Sequence, residues 1–240
     1  MEFFKKAIRT GFNLIGFDIA RISQVPRLTF LGLKNLPIKT VIDVGANEGQ
    51  FAQMISAIYT DAKIYSFEPL SDVYQKLLLW TDKTKGRVSA FNVALGEEEN
   101  TVAMHYHVDH DSSSSLLQTT QYNEDLFPQT GKQIGVSVKQ TTLDNWMEEI
   151  TDTLRPDILI KLDVQGYEDR VICGGKKLFT MAKACIIEIN LAKLYHEQAS
   201  FRDIFYLLDG LDYSYSGNLD QFCNNEGQVV YIDSLFIRKQ

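Results

Sequence analysis

Three places in this sequence put polar side chains where short apolar runs end, which is where an open parallel sheet binds its ligands. The first run, Val41-Ile42-Asp43-Val44, leads into Gly45-Ala46-Asn47-Glu48-Gly49. There Gly45 and Gly49 let the backbone turn sharply and come close to a ligand. The turn carries acids and lacks the Gly-Lys-Ser/Thr of a phosphate loop, and Asn47 stands where the dinucleotide fingerprint GxGxxG needs its second glycine. Phosphate recognition is therefore disfavoured. The second run ends at Glu68-Pro69, nineteen residues beyond Gly49, where a carboxylate can accept hydrogen bonds from both hydroxyls of a free ribose 2′,3′-diol. A ribose clamp, a glycine turn and an acid in place of a phosphate cradle suit S-adenosylmethionine, whose reactive centre is a sulfonium cation and whose tail is an amino acid. A dehydrogenase using NAD is the competing reading, and Asn47 speaks against it. At the third exit, Asn92 in Phe91-Asn92-Val93-Ala94-Leu95-Gly96 either reaches an adenine edge or is an ordinary solvated strand end.

Further along the chain, Lys161 and Asp163 lie two apart on a strand and so share a face, as do Glu188 and Asn190 on the next. Asp163 could hold a methionine ammonium or an acceptor hydroxyl, Lys161 could bind developing oxygen charge, and Glu188 could act as base or substrate anchor. The alternative is a structural ion pair filling the crevice floor. Asp163, Glu188 and Asn190 could also hold magnesium, although no metal is assigned here. His196 is a candidate general base, competing with an ordinary surface histidine. His105, His107 and His110 invite a metal reading, but alternation on an exposed β insertion explains them more simply. The serine run Asp111-Ser112-Ser113-Ser114-Ser115 either folds over bound cofactor, with Ser114 and Ser115 donating hydroxyls, or is a flexible hairpin tip. Trp146, Tyr213 and Tyr215 read as core aromatics rather than sugar platforms.

The elements that must position these groups alternate between apolar runs and helix-spaced faces from Thr40 onward, the pattern of βαβ units and a parallel sheet. Phe51, Met54, Ile55 and Ile58 fall on one helical face; Ile64 to Phe67 is a strand; Ser71 is the expected N-cap of a helix to Leu79; Val88 to Val93 is a strand. Residues 101–140 read as a β insertion, with strands Thr101 to Val108 and Ile134 to Lys139 around a polar loop that has no helical stripe. The winding resumes with a helix from Thr142, a strand Asp157 to Val164, one helix Asp169 to Phe179 and a strand Ala184 to Ile189. A helix capped by Ser200 and stopped by Gly210 precedes terminal strands near Tyr213 to Ser216 and Val229 to Arg238.

A chain of 240 residues, 45% hydrophobic and 11% aromatic, can bury a large core. With 31 acids against 24 bases it offers no broad cationic surface for a nucleic acid backbone. Three cysteines, Cys173, Cys185 and Cys223, without CxxC spacing give neither a disulfide framework nor a zinc site, which fits a reducing cytoplasm. No apolar run approaches the roughly 18 residues of a membrane span. Residues 1–40 hold seven bases and two acids, while the remainder carries 17 bases and 29 acids. Within them Phe4, Ile8, Phe12, Ile15 and Ile19 make one apolar face, with Lys5, Lys6 and Arg9 elsewhere on the wheel. Residues 1–37 are thus expected to be a basic amphipathic extension. Its helix packs on the domain or a partner subunit, or docks residues 1–20 on an anionic inner membrane face.

The blocks Val41 to Gly49, Phe67-Glu68-Pro69, Asn92 to Gly96, Ser114-Ser115-Leu116, Thr142-Leu143-Asp144, Ile160 to Glu168 and Ile187-Glu188 occur in an order and spacing that resembles the FkbM family of S-adenosylmethionine-dependent methyltransferases, over roughly residues 38–238. That family usually carries Glu where this chain has Gln165, which removes one charge beside the crevice. The resemblance implies an α/β, Rossmann-like class I methyltransferase fold, a seven-stranded, mostly parallel sheet with an antiparallel last strand. It also implies O-methylation of a hydroxyl on a sugar, glycan or natural-product acceptor. A noncatalytic protein that kept the crevice is the further alternative.

Overall fold

The structure, a computed structural model, describes residues 29–150 and 154–239 together with Phe12, Leu14 and Val25. The expected amphipathic helix of the first twenty residues lies outside the described residues. Seven strands make the main sheet: β1 (Thr40–Val44), β2 (Lys63–Phe67), β3 (Val88–Phe91), β7 (Ile158–Leu162), β8 (Ala182–Asn190), β9 (Tyr213–Cys223) and β10 (Val229–Arg238). Their order is β3-β2-β1-β7-β8-β10-β9. The pairs from β3 through to β8 are parallel, and β10 runs antiparallel between β8 and β9. This is the expected mostly parallel sheet with its last strand reversed. Central parallel strands are covered on both faces and need a continuous apolar run. Accordingly β1 and β7 are buried at every position. Their two charged members, Asp43 and Lys161, are partners in register.

One face of the sheet is covered by α1 (Gln50–Ile58), Trp80 from α2 (Ser71–Thr81) and the turn Phe30–Asn35. The other is covered by α4 (Leu143–Ile150), α5 (Glu168–Cys173), α6 (Lys176–Met181) and α7 (Phe201–Asp209). Trp146 of α4 meets Tyr65, Phe67 and Phe91 edge-on at 5.1, 4.9 and 5.7 Å, so the exit of β2 rests on an aromatic cluster. Ser200 caps α7 in a capping box with Asp203, and Gly210 ends it.

A smaller sheet, β4 (Ala94–Leu95), β6 (Gln133–Thr141) and β5 (Asn100–His107), carries the insertion. Between β5 and β6 the chain forms a single turn at Asp111–Ser113 and a short helix α3 (Gln121–Leu126), which the sequence pattern does not disclose. Other departures have local causes. The single helix expected over 169–179 is instead two, parted at Gly174-Gly175, where close packing demands glycine: a Cβ on Gly174 would lie 1.9 Å from Gly96 O and one on Gly175 2.8 Å from Leu143 Cδ1. Ser71 is not the N-cap of α2: Leu70 occupies that position, and Ser71 Oγ donates instead to Asn92 Oδ1 at 3.3 Å. Strand β9 runs on to Cys223, past the expected Ser216. Trp146 and Tyr213 are buried as expected, but Tyr215 is 41% exposed. His107 is fully buried, not on an exposed alternation, and burial holds its imidazole below the usual pKa.

Candidate active site

The exits of β1, β2 and β7 meet at one crevice. Gly45 turns the chain at φ +75°, and its N–H, with that of Ala46, donates to Phe67 O at 3.1 and 2.9 Å. A Cβ on Gly45 would lie 1.8 Å from Asp163 O, so only glycine lets β1 and β7 converge here. Asn47 takes the left-handed backbone (φ 48°) that a glycine would adopt at this point, and its side chain adds an amide donated to Asp111 Oδ1 at 3.1 Å. Gly49 serves packing instead: it starts α1 at φ +93°, and a Cβ there would sit 2.9 Å from Leu77 Cδ1 and 3.2 Å from Trp80. It does not line the crevice, which corrects its expected place at the cofactor.

Glu68 is 5% exposed at the end of β2. Its Oε1 accepts from Leu70 N at 2.8 Å and its Oε2 from Asn47 N at 3.0 Å. Burial pushes its carboxyl up to about 7, against those two N–H donors. The cleft beside it is lined by apolar Phe67, Leu70, Val93, Leu95, Met104 and Leu116, and by Pro69, Asn47, Asp111, Ser112, Ser114, Ser115, Asp163 and Gln165. Three carboxylates and no lysine or arginine line it among the described residues, a donor set suited to a purine, a ribose diol and a cationic sulfur. The three carboxylates repel a diphosphate and attract a cationic sulfonium, so these residues fit S-adenosylmethionine better than a nicotinamide dinucleotide.

Asn92 is exposed and turned away from the cleft; its Nδ2 donates to Glu68 O and Pro69 O, both at 2.9 Å. It braces the β2 exit and leaves no amide for an adenine edge. The serine loop does reach the crevice. Ser114 Oγ accepts from His107 N at 3.1 Å, and Ser115 Oγ donates to Gln165 O at 2.7 Å. Their hydroxyls thus lock the loop onto the β5 end and the β7 exit.

At the end of β7, Lys161 Nζ donates to Asp163 Oδ2 at 2.9 Å and stands 4.0 Å from Asp43 Oδ1. Burial alone pushes this ammonium down, but the Asp163 and Asp43 carboxylates outweigh it and the net direction is up, so Lys161 stays charged. Burial raises Asp43 to about 6 despite Lys161. Gln165 Nε2 donates to Asp163 Oδ1 at 2.7 Å and to Glu188 Oε1 at 2.8 Å, and Gln165 Oε1 accepts from Tyr195 OH at 2.7 Å. Glu188 is pushed well above the usual carboxylate range by burial, then by Asp163, Asp233 and Glu168, with Lys161 opposing. Ser112, Asp163 and Gln165 line the cleft and also a second, polar cavity with His110, Glu188, Tyr195 and Tyr231.

The structure thus brings Lys161, Asp163 and Glu188 together and leaves His196 out. His196 is exposed, its backbone N–H donates to Gln118 O at 2.8 Å, and its neighbour Tyr195 points inward in its place. Tyr195 is a site residue that sequence reasoning did not single out, and Gln165, noted there only as a lost charge beside the crevice, lies between the two carboxylates. Among the described residues, no three His, Cys, Asp or Glu side chains gather in a metal-holding group. No helix there is long and apolar enough to cross a membrane.

A model of the methyltransferase FkbM domain matches residues 43–215. The 2-O-methyltransferase NoeI of Sinorhizobium fredii (strain NBRC 101917 / NGR234) is 26% identical over 191 residues, covering 76% of this chain and 76% of that protein. The crystal structure of a methyltransferase FkbM from Methylobacillus flagellatus KT shares the fold, with a TM-score of 0.51 at 13% identity, over 84% of this chain and 44% of that one. The family match runs from β1 into β9 and encloses every strand exit described above, so the chain belongs to the FkbM methyltransferase family, with S-adenosylmethionine as its methyl donor.

Proposed function

We propose that this methyltransferase acts on a hydroxyl oxygen of a sugar, glycan or natural-product acceptor seated in the polar cavity beside Glu188. The observation that carries this is the position of Asp163 and Ser112, which line both the cofactor cleft and that cavity and so mark where the two open into each other. The 2-O-methyltransferase name of the relative from Sinorhizobium fredii points the same way.

Bound S-adenosylmethionine supplies a methyl group on positive sulfur, which departs as a neutral thioether when an oxygen takes the methyl. Glu68 would accept the ribose hydroxyls, and the apolar wall from Phe67 to Leu116 would enclose the purine. Asp163, fixed by Lys161 on one oxygen and Gln165 on the other, would orient the methionine ammonium or the acceptor hydroxyl. Such positioning supplies much of the acceleration of an in-line transfer. Glu188 would take the hydroxyl proton as the new C–O bond forms, for a factor of about 10² to 10⁴. Burial and the neighbouring carboxylates raise its proton affinity above that of an ordinary carboxylate. Lys161 would favour developing negative charge on the acceptor oxygen.

Release of S-adenosylhomocysteine from S-adenosylmethionine, measured across a panel of methyl pyranosides with and without a chelator, tests the assignment. Turnover of at least one pyranoside, reduced about 10² to 10⁴-fold in Glu188→Gln, is the expected result. Cofactor binding with no turnover of any hydroxyl compound would favour a noncatalytic role. The basic stretch of residues 1–20 is proposed as a subunit contact or an anionic-membrane contact at the cytoplasmic face, distinguished by co-sedimentation with phosphatidylserine vesicles.

A further inference from the structure

We infer that Gln165 is a positioning residue for methyl transfer: its side-chain amide holds the Glu188 carboxylate toward the acceptor cavity with a neutral donor and ties it to Asp163 and Tyr195. This rests on the proposed role of Glu188 as proton acceptor.

Two carboxylates this close repel, and proteins commonly separate such a pair with a cation or a shared proton. Here Lys161 is spent on Asp163 and Asp43 and makes no hydrogen bond to Glu188. The group between the carboxylates is the amide nitrogen of Gln165, with one N–H for each: 2.7 Å to Asp163 and 2.8 Å to Glu188. The remaining end of the amide is read by Tyr195, whose hydroxyl donates to Gln165 Oε1. The acceptor oxygens of Asp163 and Glu188 set which end is nitrogen; the Tyr195 hydroxyl, which also lies 3.0 Å from Ser113 O, can donate or accept. Gln165 also holds a left-handed backbone (φ 57°) that a non-glycine residue adopts at a cost, and Ser115 Oγ secures its carbonyl.

A neutral donor orients a base without removing its basicity as a guanidinium or ammonium would. The charged and titratable groups around Glu188 are Asp163 and Lys161 from β7 and its exit, Asp233 and Tyr231 from β10, Glu168 from α5, Tyr195, and His110 of the insertion, which lines the same cavity. Apart from Lys161, those that ionise as carboxylates all push its proton affinity up. The amide is the hydrogen-bond donor that limits that rise.

The test is a carbon-13 NMR titration of Glu188 in the full chain labelled with [5-¹³C]glutamate, with the Glu188 signal identified by its loss in Glu188→Gln. Removing the donor in Gln165→Met is expected to move the Glu188 midpoint up by about one pH unit, the size of a hydrogen bond to a charged group. Gln165→Glu, which puts a third carboxylate in the gap, should move it up further. Tyr195→Phe keeps the amide but frees its far end, and should give a smaller upward shift even if the Gln165 variants fail to fold. With a pyranoside that turns over, the acidic limb of kcat/KM should shift by the same amount, which a merely structural role would not produce. Midpoints in all folded variants within about 0.2 unit of the parent chain would overturn the proposal. The titration needs no acceptor. Failure to bind S-adenosylhomocysteine would therefore count against the proposed function alone, while an unmoved midpoint would count against Gln165.

Discussion

The backbone N–H of Asn47 donates to Glu68 Oε2 at 3.0 Å, so the turn after β1 holds the carboxylate that ends β2. The other oxygen is held by Leu70 N, which leaves the remaining lone pairs of Glu68 for a ribose diol. Replacing Glu68 by Ala removes both the clamp and the acceptor for Asn47 N. Affinity for S-adenosylhomocysteine should fall at least about 10²-fold by calorimetry, the size of one or two hydrogen bonds to a charged group. An unchanged affinity would show that the ribose lies elsewhere.

Burial raises the Glu68 carboxyl to about 7, whereas a ligand diol is best met by its ionised form. Binding should therefore release protons near neutral pH, seen as a dependence of the calorimetric heat on buffer ionisation enthalpy. Affinity should weaken as pH falls below about 7. Glu68→Gln should abolish both effects.

Asp43 at about 6, and Glu68 and Glu168 at about 7, each bind a proton more readily folded than unfolded. For an acid raised in this way, the stabilising contribution is complete below its unfolded pKa and is lost as pH rises through the folded one. Without ligand, stability should therefore decline between about pH 4.5 and 7, by up to ~1.4 kcal/mol per pH unit for each proton involved. Glu168 Oε1 accepts from Val164 N and Gly166 N at 3.0 and 3.2 Å, so Glu168→Gln keeps an acceptor while removing one titration. Thermal melts from pH 5 to 8 should show a shallower slope in that variant; equal slopes would refute the assignment.

Gly45→Ala forces a methyl into the carbonyl of Asp163 at a φ of +75°. Because the obstacle is backbone, relief means moving β1 or β7. A loss of about 3 kcal/mol or more in urea unfolding is expected, with loss of cofactor binding in whatever folds. Gly227→Ala is a control for the left-handed conformation alone, since its Cβ would meet nothing within 4 Å at φ +80°.

Ser115 is 1% exposed; its hydroxyl donates to Gln165 O and accepts from Leu117 N at 3.0 Å. Ser115→Ala leaves both partners short of a hydrogen bond and should cost about 1–3 kcal/mol. Amide exchange at His105 and Ser115, which pair by backbone bonds of 2.8 and 3.2 Å, should accelerate as the loop loosens.

The strand exits were legible because each is a local event: an apolar run ends, and a glycine or acid follows. Asp43, Gly45, Glu68, Lys161, Asp163 and Glu188 all stand at or beside such exits, and the two-residue periodicity of a strand puts Lys161 and Asp163 on one face without any knowledge of the fold. Glu68 at its distance from the glycine turn pointed to a ribose diol and away from a diphosphate. The assignments that failed turn on contacts between distant segments. Asn92 is drawn to the Glu68 and Pro69 carbonyls across 24 and 23 residues, and Gly49 is claimed by Leu77 and Trp80. Whether Tyr195 or His196 faces the polar cavity depends on how its segment docks, through the Thr119–Tyr195 bridge, against the insertion.

Local chain geometry is written in neighbouring residues, so this sequence by itself determined the alternation of strands and helices, the polar groups at the strand ends and the chemical character of the crevice. The packing of segments far apart in the chain is not. Asn47 reaches Asp111 across 64 residues and Ser115 reaches Gln165 across 50, and only the folded structure could decide those pairings. They place the serine loop over the crevice and the amide between the two carboxylates, because each buried polar group must find a partner wherever the packed core leaves one.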